Sequence, residues 1–293
     1  MKALIIAEHA AAAAELVAGA RTMADEVVAI SFGGAYECGA DKVLNITVPE
    51  GLTVDSAVET VNAAFDAEDP EVVLVEACRH MKVIAGSLAF HADTAVITDV
   101  TAFEAAGAKS MYFGGIAERV QKAAGNVAIY TVGAGVLDGA EGANGSVAEQ
   151  EWVAPARPVK VVSSQVIEKS GVNLFKADVV VAAGRGFAEE SQLSLANDLC
   201  DKLGAGLACS RPLTEGVNWL PTERYVGVSG LMLTPKVYIA AGISGQMQHM
   251  VGCNRSGAIF AINKDKNAPI FKQCDFGLIG DIKDVLPAIT AAL

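Results

Sequence analysis

Apolar residues in the first half of the chain fall into short continuous runs, and each run predicts a strand. The candidates are Ala3–Ala7, Val27–Phe32, Lys42–Ile46, Val72–Glu76, Ala95–Thr98 and Val127–Val132, with Lys109–Ile116 as a further one. Between them, residues 10–22, 53–66 and 79–90 have helical character and are each long enough for a crossover. Continuous apolar strands separated by helices predict a parallel sheet covered on both faces. Residues 138–151, rich in Gly, Glu and Asn without a clear period, predict a loop.

Pro155 and Pro158 remove backbone donors and hold the chain extended, so a domain boundary is expected near residue 155, followed by a connecting strand at Val159–Val166. The second half has its own alternation. Strands are expected at Asp178–Ala183, Gly206–Cys209, Val237–Ala241, Ala258–Ile262 and Phe276–Ile279. A helix is expected over Ala188–Leu203, stopped by Gly204, and another beginning at Gly245. The fold class is therefore α/β, with two domains (1–155 and 156–293), each a Rossmann-like three-layer αβα sandwich on a parallel sheet.

Composition supports packed domains, with 52% hydrophobic and 19% charged residues among 293. The charge is unevenly spread. Residues 1–155 carry 8 Lys/Arg and 22 Asp/Glu, whereas residues 156–293 carry 14 and 12. No basic run offers a phosphate backbone or an anionic membrane a surface, so neither nucleic-acid binding nor membrane insertion is expected. Met1–Ala7 imitates a signal peptide, but Glu8 and His9 interrupt it after five apolar residues, short of the usual ~7–15. The expectation is a soluble, cytoplasmic chain. Six scattered cysteines lack the clustered spacing of zinc or iron–sulfur sites and read as reduced, mostly buried thiols. No metal site is expected, and no histidine–carboxylate pair is suggested by spacing.

The chemistry-bearing pattern is positional. All five strands of the second half end in glycine, serine, arginine, asparagine or aspartate. In an open parallel sheet those ends lie along one edge, where ligands bind. Gly184-Arg185-Gly186 opens one such edge loop, with Glu189 in place of a third fingerprint glycine; a plain tight turn would also explain the glycines. Gly133-Ala134-Gly135 is followed by Asp138 and reads as a loop. Ser210-Arg211 precedes Pro212, with an exposed ion pair as the plainer reading of the arginine. In Gly242-Ile243-Ser244-Gly245-Gln246-Met247-Gln248-His249, two glycines suit phosphate while Ser244, Gln248 and His249 add polar groups; a helix cap is the plainer reading of Ser244. Asn263 and Asp281 end the last two strands and could equally form turns through their own side chains.

These residues resemble a known family. Gly184–Gly186, Ala208-Cys209-Ser210-Arg211, Val226-Gly227-Val228-Ser229-Gly230, Tyr238–His249, Ala261–Asp265, Ala268–Phe271 and Asp275–Asp281 are similar, in order and spacing, to the FAD domain of the electron-transfer flavoprotein alpha subunit. The run from Ala208 to Phe271 looks closest to the anaerobic branch linked to nitrogen fixation and carnitine-type acyl-CoA reduction. The first half resembles the family in architecture and in a weak Arg79…Asp99 stretch.

The resemblance implies one FAD, a heterodimer with a beta subunit, and electron delivery to or from a partner dehydrogenase, reductase or quinone oxidoreductase. It implies an electron carrier, not a self-sufficient enzyme. Arg185 and Ser244, Gly245, Gln246, Met247, Gln248 and His249 would hold the pyrophosphate and ribityl chain. Ser210, Asn263, Asp281 and Ile282 would line the remaining length, together with Val226, Gly227 and Val228. Arg211 would lie against the isoalloxazine, Ser229 would reach its N5 edge and His249 its pyrimidine carbonyl. Val228 stands where many members have glutamine, Ser229 where many have threonine, and Leu231 where lysine is common. Two readings from other classes are an NAD-dependent Rossmann-like oxidoreductase, against which the incomplete glycine fingerprint counts, and a non-redox adenine-nucleotide-binding module.

Overall fold

A computed structural model describes residues 1–137, 142–165 and 172–293. The chain divides into two compact units: Met1–Tyr112 with Ala117–Val166, and Phe113–Ile116 with Ile167–Leu293.

In the first unit the strands are β1 (Lys2–Ile6), β2 (Glu26–Phe32), β3 (Lys42–Ile46), β4 (Val72–Glu76), β5 (Val96–Glu104), β6 (Gly107–Tyr112), β7 (Ala117–Gln121), β8 (Ala128–Val132) and β9 (Ser146–Glu149). They form one sheet in the order β7-β6-β5-β8-β4-β1-β2-β3-β9. Helices α1 (Ala10–Ala20), α2 (Val58–Glu68) and α3 (Arg79–His91) make the crossovers. Alternate residues of β1 point to opposite cores. Ala3 and Ile5 pack with Leu16 and Val17 of α1, whereas Leu4 and Ile6 pack with Met81, Ile84 and Leu88 of α3. Burial on both faces explains why these strands read as unbroken apolar runs.

The pairing is parallel from β5 through β8 to β9, and β5-β6-β7 adds an antiparallel meander at one end. The sheet is thus mixed, because the short turn between β5 and β6 leaves no room for a crossover helix. Two local expectations are corrected. Ser146–Glu149, inside the segment read as loop, pairs with β3 as an edge strand; all four residues are exposed, so no apolar signal marked it. The expected strand Val159–Val166 is not formed over its described residues: Lys160 makes one isolated bridge to Leu52, and Val161 N–H donates to the Gly51 carbonyl. That stretch stays with the first unit. Val166, like Asp138, lies outside the described residues.

The second unit carries β10 (Val179–Ala183), β11 (Gly206–Cys209), β12 (Val237–Ala241), β13 (Ala258–Asn263) and β14 (Phe276–Ile279), ordered β11-β10-β12-β13-β14. Every pairing is parallel. Helices α4 (Leu193–Leu203) and α6 (Ile282–Ala292) cover one face through Ala196, Leu199 and Leu286. The expected helix over 188–203 becomes a 3-10 turn at Glu190–Gln192 leading into α4. On the other face Tyr238 of β12 packs with Met250, Cys253 and Ile270, which are presented by turns and by the single turn α5 (Met247–Met250). Each large apolar side chain sealed there contributes about 1.5–3 kcal/mol. Among the described residues, no helix is long and apolar enough to cross a membrane.

Candidate functional site

Because the second sheet is wholly parallel, the carboxyl ends of its five strands share one edge. The chain turns back between β10 and β12, having gone to β11 on one side and to β13 and β14 on the other. That reversal is the switch point at which open α/β sheets bind ligands. A cavity of about 410 Å³ lies there, within the range of small-molecule sites.

Each strand end contributes to its wall. Arg185 and Gly186 follow β10, Ser210 and Arg211 follow β11, and Gly242, Ile243 and Ser244 follow β12. Asn263 and Lys264 come from β13, and Asp281 and Ile282 from the start of α6. Val226, Val228 and Ser229 reach the cavity from the loop after Tyr225, and Gln246, Gln248 and His249 from α5 and its approach. Of the residues named from the sequence, Gly227, Gly245 and Met247 do not line it. Gly245 is buried against Ile270, and Gly227 backs onto Gln248.

The glycines make the edge possible. Gly242 has φ 65°, and Gly186 N–H donates to its carbonyl at 2.9 Å. A Cβ on Gly242 would stand 2.7 Å from the Gly186 Cα, which no real side chain tolerates. Two backbones therefore touch where a ligand's phosphate could approach both.

Several side chains also do local work. The Asn263 amide donates to the Ile243 carbonyl at 2.8 Å and its oxygen accepts from Asp265 N–H at 3.0 Å. Asp281 caps α6 by accepting from Lys283 N–H at 3.0 Å. Arg211 Nε donates to Glu215 at 2.6 Å on an exposed turn, which raises the guanidinium pKa further. The turn, cap and ion-pair readings of these three residues are thus realised, and all three still line the cavity. Ser244 is not a cap: Gln246 precedes α5, and the Ser244 carbonyl accepts from Ile270 N–H at 3.0 Å.

His249 is the buried imidazole of the wall, 8% exposed. Burial pushes its pKa down to about 4, opposed only by the Val226 backbone, so the ring is neutral near pH 7. Nε2 lies 3.0 Å from the Tyr238 hydroxyl. Nδ1 is buried and has no hydrogen-bond partner among the described residues. A buried polar atom left unmade costs about 1–3 kcal/mol, so a ligand with a matching acceptor or donor would relieve it. Ser229 and Tyr225 hydroxyls meet at 2.6 Å.

Two tyrosines carry no role in the sequence reading. Tyr225 precedes the recognised motif and lines the cavity, whereas Tyr238 lies within the motif and is buried in the core. Lys264 lines the wall as a third cation beside Arg185 and Arg211, and Asp265 and Pro269 line it without having carried a role in the sequence.

The same edge of the first unit has a different chemistry. Glu76 accepts from the backbone N–H groups of Glu8 and His9 at 2.8 and 3.1 Å, and its other oxygen lies 2.7 Å from His9 Nδ1. Glu8 lies 3.0 Å from His80 Nδ1 and accepts from the Cys78 thiol at 3.4 Å. Asp66 and His91 pair at 2.8 Å. Spacing suggests none of these histidine–carboxylate pairs, because their partners are far apart in sequence. Glu8, His9 and Cys78 are close enough to share an ion, but hydrogen bonds within the cluster already engage each of them. All six cysteines are free, and burial pushes Cys200 up to about 11 and Cys209 and Cys253 up to about 12.

Two family descriptions match the chain: "Electron transfer flavoprotein domain" over residues 3–157 and "Electron transfer flavoprotein FAD-binding domain" over residues 173–254. Proteins named FixB from Escherichia coli and Shigella flexneri are 39% identical over 293 residues, covering 95% of this chain and 94% of their own. FixB of Salmonella typhimurium is 39% identical over 296 residues with the same coverage. A solved structure described as a putative thiamin diphosphate-dependent enzyme from Mycobacterium smegmatis aligns with 86% of this chain and 55% of its own. Its identity is 12% and its TM-score 0.25, a likeness too weak to bear on the fold.

Proposed function

The chain belongs to the electron-transfer flavoprotein family as an alpha-type member with FAD as its cofactor, and on that premise we propose that it carries electrons between a donor and a partner flavoenzyme, as a heterodimer with a beta subunit. The observation that supports this reading most is the cavity along the second sheet's carboxyl edge, with a glycine cradle, cationic groups and an unpartnered buried imidazole nitrogen. These fit a long anionic dinucleotide with a carbonyl-bearing ring. When bound, FAD supplies the redox chemistry itself.

The chain's residues bind, orient and tune. Arg185 and the backbone of Gly242, Ile243, Ser244 and Gln246 would hold the pyrophosphate, the arginine by charge-assisted donors. Ser210, Gln248, Asn263, Asp281 and Ile282 would line the rest of the cofactor's length, with Val226 and Val228 walling it. Arg211 and His249 would favour negative charge on the bound ring, and Ser229, held by Tyr225, would supply a hydroxyl at its edge. We assign docking of the beta subunit to the acidic first domain, whose charge would also select basic partner surfaces.

Co-purification with the beta subunit, followed by a visible spectrum and flavin count, tests the reading. A yellow complex is expected; a colourless one that binds ATP stoichiometrically would overturn it. Arg211→Ala should lower the flavin potential, by on the order of 60 mV for a tenfold shift in a one-electron equilibrium. An unchanged or higher potential contradicts the charge argument. Assembly and partner reduction that do not depend on salt would remove the docking assignment.

A further inference from the structure

Tyr238 does not line the cavity. It is fully buried within β12, packed among Val180, Ala240, Met250 and Cys253 on the face opposite the long helices. A phenol so placed must find a partner for its hydroxyl. The partner at hydrogen-bond distance is His249 Nε2, 3.0 Å away, with the two rings tilted by 52°. His249 belongs to the cavity wall, and its other nitrogen, Nδ1, is the buried atom without a partner.

We propose that Tyr238 is a positioning residue that sets the tautomer of His249, donating its O–H to Nε2 and so fixing the ring proton on Nδ1, where it is offered to an acceptor on the ligand in the cavity. The direction of the bond follows from counting protons. Burial raises the Tyr238 pKa well above 10, so the hydroxyl keeps its hydrogen. The imidazole is neutral and carries one proton. If Nε2–H donated to the phenol oxygen, the phenol hydrogen would be left with the thiol of Cys253, a poor acceptor, and Nδ1 would be a bare lone pair. If the phenol donates, one bond satisfies both Tyr238 and Nε2. The Nδ1–H is then left without a hydrogen bond of full geometry among the described residues, with only the weaker Val226 backbone contact that opposes the pKa shift, and it matches a carbonyl-bearing ring and repels a cationic one. Which nitrogen of a histidine carries the proton is commonly decided by the bond its other nitrogen makes, and here that bond comes from a residue outside the cavity. This inference rests on the FAD reading for the identity of the acceptor, but not for the tautomer.

The test is 15N NMR of the histidine rings in the purified, FAD-containing complex, with the His249 signal assigned through its loss in His249→Asn. The chain has four histidines, so the assignment is tractable. In the wild type His249 should be protonated on Nδ1 and bare on Nε2. Tyr238→Phe keeps the ring's shape and removes only the hydroxyl; it should shift the His249 population toward the Nε2–H form. It should also raise the FAD dissociation constant roughly three- to tenfold, the size of one net hydrogen bond. A wild-type His249 protonated on Nε2, or a Tyr238→Phe variant with unchanged tautomer populations, overturns the proposal. The wild-type measurement stands even if the variant fails to fold. A chain that binds no FAD yet keeps the Nδ1–H form upholds the role of Tyr238 and overturns only the cofactor reading.

Discussion

The carboxyl edges of the two sheets share a layout and differ in what fills them. In each unit the first strand is an inner strand and the chain reverses direction beside it, at β1 and β4 in one and at β10 and β12 in the other. After β10 and β12 come Gly184-Arg185-Gly186 and Gly242, which leave backbone groups and a cation open to a cavity. After β1 and at the end of β4 come Glu8-His9 and Glu76. There a carboxylate of the chain's own takes the N–H groups of Glu8 and His9, in the loop that leads into α1, and puts negative charge where a ligand's phosphate would have to approach. One architecture thus gives a binding edge where the loops are small and cationic, and a closed one where they are acidic. The fold supplies the place, and the loop residues decide whether it is available.

The largest effect that would break this contrast is at Gly242. Gly242→Ala forces a side chain into φ 65° and against Gly186. A loss of about 4 kcal/mol is expected, from strain plus overpacking, read by urea unfolding and by lost flavin. Full stability and full flavin content would show that the cradle is not tight.

The next effect is a pH dependence centred on His249. Its pKa is about 6.5 unfolded and about 4 folded, so protonation favours the unfolded chain. The stability it confers is complete above pH 6.5 and is lost as the pH falls toward 4, by about 3 kcal/mol for a shift of this size. Urea titrations of flavin-free protein between pH 7 and 4 should show a smaller loss in His249→Asn than in the wild type. Parallel losses would mean that the imidazole is not held neutral.

A smaller effect separates the two edges. Glu76→Ala removes the acceptor of two backbone N–H groups and of His9, and should cost about 1–2 kcal/mol while leaving the flavin spectrum and FAD affinity unchanged. Weakened FAD binding in that variant would mean that the acidic edge is not merely structural. Smallest is Asp281→Ala, which loses the cap of α6 at about 1 kcal/mol, with a modest loss of FAD affinity because Asp281 also lines the cavity.

The binding edge was largely legible in the sequence. Each of its five strands is a short apolar run that stops at a glycine or a polar residue, and in a parallel sheet that sequence event has one spatial meaning. Gly227, Gly245 and Met247 belong to the recognised motifs yet shape the loops from behind, a distinction that motif and spacing do not carry. β9 was hidden because an exposed edge strand has no apolar period. The closed edge was hidden because Glu76 meets His9, and Glu8 meets His80, only after β4 and β1 become neighbours. Tyr238 lies in a recognised motif without a role of its own, since a tyrosine in an apolar strand reveals its hydroxyl's partner only once α5 folds over it.

The most direct test compares FAD content across the two edges in the complex with the beta subunit. One variant carries Arg185→Ala with Arg211→Ala, and the other Glu8→Ala with Glu76→Ala. Flavin per chain, read by absorbance after desalting, should fall substantially in the first and match the wild type in the second. Retained flavin in the arginine variant with loss in the glutamate variant would contradict the assignment of the cofactor to the second sheet's edge.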